Sequence, residues 1–227
     1  LLGRFYTIQQ AGYYSQGSKW TTMGYSTIFG MINSVGQPVF REASEDRQRL
    51  QNIFRKLMRF TAFVSFPAML GLAIVSQELI VISITEKWLP CVPVMQILCV
   101  WGAFMPISTL YSNLMNSIGR PNVYMWNTIA LGIFQLLCVW GSYPYGLNIM
   151  LIVYTAANIF WLLIWHYFAH KHIGISLLNT LKDIAPYLII SVAVMTFTYW
   201  VAGYVKNIYL SLLAKIALAA SLYIFLM

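Results

Sequence analysis

The chain has 227 residues, of which 59% are hydrophobic and 9% charged; ordinary soluble domains have roughly 45–50% apolar and about 25% charged residues, so a soluble globular domain is excluded. Seven or eight membrane helices of about 20 residues would use nearly all of this length, leaving no room for a separate catalytic domain. The 14 Lys and Arg against 6 Asp and Glu, a formal net charge of +8, are read first as membrane topology and lipid contact, because no soluble segment carries a basic patch interleaved with aromatics.

The chain begins at Leu1 and ends at Met227 inside an apolar run, and is read as a piece of a longer protein. Residues 1–20 crowd Gln9, Gln10, Ser15, Gln16 and Ser18 around Gly12 and Gly17, the composition of an outer interfacial segment, with Tyr6, Tyr13, Tyr14 and Trp20 as an aromatic belt. Seven apolar spans follow, near 21–40, 57–75, 92–118, 122–142, 147–168, 184–203 and 208–227, giving an all-α polytopic bundle. Before the second span lies a basic amphipathic helix over 44–59, with Ser44 as its cap and Glu45 and Asp46 in its first turn. Leu50, Ile53, Phe54, Leu57 and Met58 form its apolar stripe, flanked by Arg47, Arg49, Arg55, Lys56 and Arg59. The run Gln77 to Trp88 predicts a brief interfacial helix or an extension of the second span. Asn116–Pro121 and Tyr143–Gly146 read as tight turns.

Lys and Arg set the expected orientation. Arg41, Arg47, Arg49, Arg55, Lys56, Arg59, Arg120, Lys171 and Lys182 gather on one side, predicted cytoplasmic; Arg4, Lys19, Lys87 and Lys206 fall on the other.

Polar residues within spans are the candidates for function. These are Asn33, Gln37, Asn113, Asn116, Asn127, Gln135, Asn158, His166 and Lys215, with no Asp or Glu placed at mid-membrane. Tyr25, Asn33 and Gln37 share a face of the first span, which predicts either a hydrated cavity contacting sugar or phosphate, or hydrogen bonding between helices. Lys215 either snorkels to the headgroups or projects into such a cavity. His166, His170 and His172 have no Cys, Asp or Glu to complete a ligand set, so they are read as interfacial side chains and no metal site is expected. Cys91, Cys99 and Cys138 form no CxxC pair and read as small apolar residues. No nucleophile with its base, paired-carboxylate site or phosphate loop is present, so neither catalysis nor a cofactor is expected.

A set of short motifs in fixed order carries a family resemblance. Gly12-Tyr13-Tyr14-Ser15-Gln16-Gly17-Ser18-Lys19-Trp20, Pro38-Val39-Phe40, Asp46-Arg47-Gln48-Arg49-Leu50, Phe66-Pro67-Ala68-Met69-Leu70-Gly71-Leu72, Glu86-Lys87-Trp88-Leu89-Pro90 and Gln96-Ile97-Leu98 together resemble the Wzx-type polysaccharide flippases of the MOP superfamily, which also holds the MATE exporters and lipid II flippases. The resemblance spans residues 1–121, and beyond them only the number of apolar spans agrees. It implies the C-terminal one of two pseudo-symmetric helical bundles around a central cavity, with 21–40 as the eighth helix and 208–227 as the fourteenth. It further implies a multi-pass protein of the bacterial inner membrane that moves undecaprenyl-diphosphate-linked oligosaccharide to the outer leaflet for surface polysaccharide synthesis. Its implied partners are that cargo, a bilayer with anionic lipids and an N-terminal half of the same protein; nucleic acid is not among them. Tyr25, Asn33, Gln37, Arg41 and Arg120 are the substrate-contact candidates on this view. A MATE-like ion-coupled exporter and a membrane glycosyltransferase or polymerase are the alternatives, the first requiring an intramembrane acid and the second a sizeable outer loop with catalytic residues.

Overall fold

The computed structural model describes residues 6–203, 205 and 207–227, and among them no strand occurs. The helices are α1 (Ile8–Glu42), α2 (Arg47–Ile74), α3 (Ser76–Ser83), α4 (Val92–Ser117), α5 (Pro121–Ser142), α6 (Leu147–Ile173), α7 (Leu177–Ala202) and α8 (Ile208–Leu226), with 3-10 turns at Glu86–Cys91 and Tyr143–Tyr145. Six helical stretches are long and apolar enough to cross a membrane: Arg47–Ile74, Glu86–Ser117, Pro121–Tyr145, Leu147–Ile173, Leu177–Ala202 and Ile208–Leu226. The expected span at 21–40 lies within α1, which falls outside this set because its lipid-length portion is diluted by Ser, Thr, Asn, Gln and Gly.

The interfacial segment expected up to residue 20 is instead, from Ile8 onward, the opening of α1; residues 1–5 lie outside the described residues. A capping box starts the helix early. Thr7 Oγ1 accepts from Gln10 N and Gln10 Oε1 accepts from Thr7 N, both at 3.3 Å, which satisfies two amides that water would otherwise have to serve. The polar residues that suggested a loop, Gln9, Ser15 and Lys19, occupy the exposed side. The buried side carries Gly17, Thr21, Ile28, Ile32, Gly36 and Phe40 at helical spacing and lies along α4. Gly17 is required there: an added Cβ would come within 2.9 Å of Val94 Cγ1 and 3.1 Å of the Met95 amide.

The amphipathic helix expected over 44–59 and the span that follows it are one continuous helix, α2. Its cap is Asp46, not Ser44: Asp46 Oδ1 accepts from Gln48 N at 2.9 Å and Arg49 N at 3.0 Å. Ser44 Oγ instead donates to Arg41 O at 2.7 Å, closing the turn after α1. A carboxylate at the cap meets the positive end of the helix dipole with a full charge, which a hydroxyl lacks. Leu50, Phe54 and Met58 are buried as their spacing predicted, while Ile53 and Leu57 are half-buried at the edges of the stripe.

Helix α4 is the axis of the bundle, contacted along its length by α1, α2 and α6; α5 leans on α6, α7 on α2, and α8 on α7 with touches on α2 and α3. The core is aromatic and thioether-rich. Phe40 of α1, Phe54 of α2 and Tyr111 of α4 stack at centroid distances of 5.9 and 5.3 Å. Close approach of α1, α2 and α4 is set at Gly102, where an added Cβ would lie 2.5 Å from Met69 Cε and 3.4 Å from Thr21 Cγ2. At the other end of α2, Arg47 Nε donates to Ile173 O at 3.0 Å and Gln51 Nε2 donates to the same carbonyl, so α2 serves the open C-terminus of α6.

One expectation about charge is corrected here. Lys215 neither snorkels nor enters a cavity: it is 6% exposed, and its ammonium donates to Glu78 Oε1 at 2.5 Å and Ile74 O at 3.0 Å. Ser211 Oγ donates to the same carboxylate oxygen at 2.9 Å. Burial pushes the Glu78 carboxyl up, but the hydrogen bonds from Lys215, its own backbone and Ser211 outweigh that and hold it below the ordinary carboxylate range. Two acidic groups are buried in this bundle, neither of them midway along a membrane-length helix. The second is Asp183 of α7, 6% exposed, clasped by Arg55 Nε at 2.6 Å and Arg59 Nε at 3.0 Å.

Candidate substrate cavity

Two adjoining hollows open on the side of α4 away from α7 and α8. The smaller, about 380 Å³, lies between the ends of α1 and α4 and is lined by Gln37, Pro38, Arg41, Asn116 and Ser117. The larger, about 520 Å³, is walled by α1, α4, α5 and α6; Asn33, Trp101, Ser112, Asn113, Gln135 and Asn158 are among its lining residues, and it shares Gln37 and Asn116 with the first. The two make one continuous concavity with Arg41, exposed, at its mouth.

The larger wall is polar without being charged, for its described lining holds no Asp, Glu, Lys, Arg or His. Its amides are tied across helices. Asn113 Nδ2 donates to Asn33 Oδ1 at 3.0 Å, joining α4 to α1, and Gln135 Nε2 donates to Asn158 Oδ1 at 2.8 Å, joining α5 to α6. Asn158 Nδ2 donates back to Tyr154 O at 2.8 Å. Ser117 Oγ donates to Gln37 O at 3.2 Å, fastening the smaller hollow. Deeper in the wall, Trp161 Nε1 donates to Asn127 Oδ1 at 2.6 Å.

Of the substrate-contact candidates the structure brings Asn33, Gln37 and Arg41 onto this concavity, and of the other intramembrane polar residues singled out from the sequence it adds Asn113, Asn116, Gln135 and Asn158. Tyr25 stands outside the lining of both hollows, further along α1, with its ring beside Gly102 and its hydroxyl 3.5 Å from Thr22 Oγ1. Arg120 is exposed in the turn between α4 and α5, also outside that lining. The wall residues that sequence reasoning missed, Trp101, Ser112 and Tyr154 among them, come from helices later in the chain. Their signal was present as helical spacing: Ser108, Ser112 and Asn116 recur every four residues on α4, and Tyr154 and Asn158 are four apart on α6.

His166 is not interfacial as expected. It is 6% exposed, with Nδ1 3.2 Å from the Tyr111 hydroxyl. His170 Nδ1 lies 2.9 Å from Ile175 O. Among the described residues no group of three or more His, Cys, Asp or Glu is placed to hold a metal ion. Cys91, Cys99 and Cys138 are free.

Comparison with known proteins places this geometry. A family described as "Polysaccharide biosynthesis protein" matches residues 1–93. The lipopolysaccharide biosynthesis protein WzxC of Escherichia coli K12 is 30% identical over 105 residues, covering 46% of this chain and 21% of that protein. The chain resembles the Wzx-type polysaccharide flippases. A membrane protein of the cps region of Klebsiella pneumoniae is likewise 30% identical over 110 residues, 48% of this chain and 23% of its own length. The teichuronic acid biosynthesis protein TuaB of Bacillus subtilis is 25% identical over 135 residues, 59% of this chain and 28% of its own length. The chain thus spans between 21% and 28% of these relatives. Among solved structures, the inward closed conformation of the lipid II flippase MurJ superimposes with a TM-score of 0.71 at 18% identity, covering 95% of this chain and 46% of that one. The family match lies in residues 1–93 and the relatives cover 46% to 59% of the chain, whereas the likeness in fold extends over 95% of it. With six membrane-length helices and relatives of this kind, the chain is a multi-pass protein of the bacterial inner membrane.

Proposed function

We propose that this chain forms one wall of a flippase that carries undecaprenyl-diphosphate-linked oligosaccharide from the cytoplasmic to the outer leaflet for cell-surface polysaccharide synthesis. The observation that carries the proposal is the concavity itself: uncharged amides, hydroxyls and indoles facing an open hollow, apart from the buried ion pairs, with Arg41 at the mouth. A diphosphate and its sugars cannot cross roughly 30 Å of hydrocarbon unaided, since each unpaired polar group costs several kcal/mol there. A polar wall replaces that lost hydration while the polyprenyl tail stays in lipid.

In this scheme Arg41 meets the diphosphate by charge-assisted hydrogen bonds, and Asn33 and Gln37 meet the first sugars. Tyr25 and Arg120 act at the two ends of the path, entered as the chain moves between inward- and outward-open states. The opposite wall comes from an N-terminal half of the same protein; the match to 46% of a flippase chain supports this division. Exposed Lys56, Arg120, Lys171 and Lys182 lie on the side assigned to the cytoplasm and rest against anionic headgroups, each contributing about 1 kcal/mol. Arg4 and Lys206, which enter the opposite side of that assignment, lie outside the described residues. The chain acts as a transporter and not as an enzyme. The family names of its relatives support this, as does the pairing of its buried acids with cations away from the hollow.

The test is complementation of a strain lacking its polysaccharide flippase, using the gene that encodes this chain. Surface polymer is expected to return and lipid-linked oligosaccharide on the cytoplasmic side to clear. Arg41→Ala is expected to lose at least ten-fold in polymer with unchanged membrane abundance; transport at the wild-type level in that variant would remove Arg41 from the path.

A further inference from the structure

His166 is a titratable group inside the bundle that the proposed path does not use. It lies on α6, 6% exposed, and meets the Tyr111 ring of α4 edge-on, with centroids 6.2 Å apart and Nδ1 3.2 Å from the hydroxyl. Thr180 of α7 also reaches the Tyr111 hydroxyl, and the Phe54 ring of α2 lies 5.3 Å from the Tyr111 ring. His166 Nε2 is buried and has no hydrogen-bond partner among the described residues. The same helix walls the larger hollow through Tyr154, Asn158 and Trp165, and α4 walls it through Trp101, Ser112 and Asn113.

A neutral imidazole suits this packing, since one ring nitrogen is paired and only the other is left over, whichever tautomer is present. Protonation makes both nitrogens donors and adds a desolvated charge. Nothing around the ring offsets that charge. Tyr111 is the titratable group facing it from α4, and exposed His170 is the one on its own helix. From α5 the neighbouring titratable group is Tyr124, against Trp165, and from α2 it is a cation, Arg47, on Ile173 O. Asp183, the acid of α7, is held by Arg55 and Arg59, and the Tyr143–Tyr145 turn meets the far end of α6. Imidazole ordinarily changes charge between about pH 5 and 8, so the charged form favours an arrangement in which water or an acceptor reaches Nε2. We propose that His166 is a proton-binding switch: on taking up a proton it parts α6 from α4 at Tyr111 and widens the hollow that these two helices line.

The test uses the intact protein that contains this chain, in lipid nanodiscs. Spin labels are placed by Val100→Cys on α4 and Leu163→Cys on α6, both exposed positions, in a background freed of other cysteines. Their separation is read by double electron–electron resonance at pH 8 and pH 5.5. A longer-distance population is expected to grow about three-fold or more on acidification. His166→Gln, neutral at both pH values, should give one distribution at both, while His170→Gln should keep the response. Should His166→Gln not fold, Tyr111→Phe decides: it keeps the imidazole but removes its partner, and should raise the longer population about two-fold already at pH 8. Wild-type distances that ignore pH, a response that survives His166→Gln or is abolished by His170→Gln, or a Tyr111→Phe variant matching the wild type at pH 8 would overturn the switch. The readout needs neither cargo nor transport, so its outcome is separate from that of complementation.

Discussion

Where α1 and α4 meet α5 and α6, the polar groups are neutral amides and hydroxyls facing an open hollow; where α2 and α3 meet α7 and α8, they are full charges matched with one another. Both regions place polarity in an apolar setting, and the difference follows from what each must do. Helix α8 gains nothing from hydrophobic burial against its neighbours, because lipid is as apolar as they are. Its attachment relies on directed contacts: Lys215 and Ser211 on Glu78, and the Tyr223 hydroxyl donating to Phe63 O at 2.9 Å. Charge suits a permanent fastening, since a matched pair is stable and a lone member is not. Neutral amides suit a surface that must be filled and emptied, because losing a partner leaves only a modest penalty.

That contrast is open to direct attack. Lys215→Met strands a buried carboxylate and is expected to destabilise the chain by about 3–5 kcal/mol, read by thermal unfolding in detergent. Adding Glu78→Gln to it should recover most of the loss; a single variant within 1 kcal/mol of wild type would mean that the clasp does not hold α8. Asp183→Asn is expected to have a smaller effect, about 1–2 kcal/mol, because Arg55 and Arg59 keep 32% and 47% of their side chains in solvent. Asn113→Leu should cost least in stability, about 0.6 kcal/mol, while lowering transport in the complementation assay by five-fold or more. A large stability loss there with unchanged transport would place the amide pairs among the fastenings and dissolve the distinction.

The sequence made some of this legible and hid the rest for definite reasons. Helix boundaries were readable wherever the chain carries its own punctuation. Pro121 opens α5 and Asn207 caps α8 by accepting from Tyr209 N at 3.0 Å, whereas Gly174, with φ of 76°, ends α6 beyond the span read over 147–168. The start of α1 was obscured because Gln9, Ser15 and Lys19 look like loop residues unless the reciprocal Thr7–Gln10 cap is noticed. On α1 alone, spacing was enough to put Asn33 and Gln37 near one face, but it put Tyr25 there too, which stands outside both hollows. Their counterparts could be seen as intramembrane amides, but not as partners: Asn33 and Asn113 are 80 residues apart and Gln135 and Asn158 are 23 apart, and no periodicity within one helix reports on a contact between two. The same limit hid the clasp. Glu78 and Lys215, 137 residues apart, each sit near the end of an apolar run, where snorkelling satisfies a charge just as simply.

The length of α1 has a mechanical consequence. Its 35 residues reach about 52 Å at 1.5 Å per residue, against roughly 30 Å of hydrocarbon, and even a tilt of about 40° leaves some two turns outside the hydrocarbon, in the headgroup layers. The opening turns carry Tyr13 edge-on to Trp88 at 6.0 Å, and the same rigid rod carries Asn33 and Arg41 further down. α1 is thus a lever that links the headgroup layer to the cavity wall: a push on its opening turns, or on the Trp88 turn that packs against them, is carried along one helix to Asn33 and Arg41.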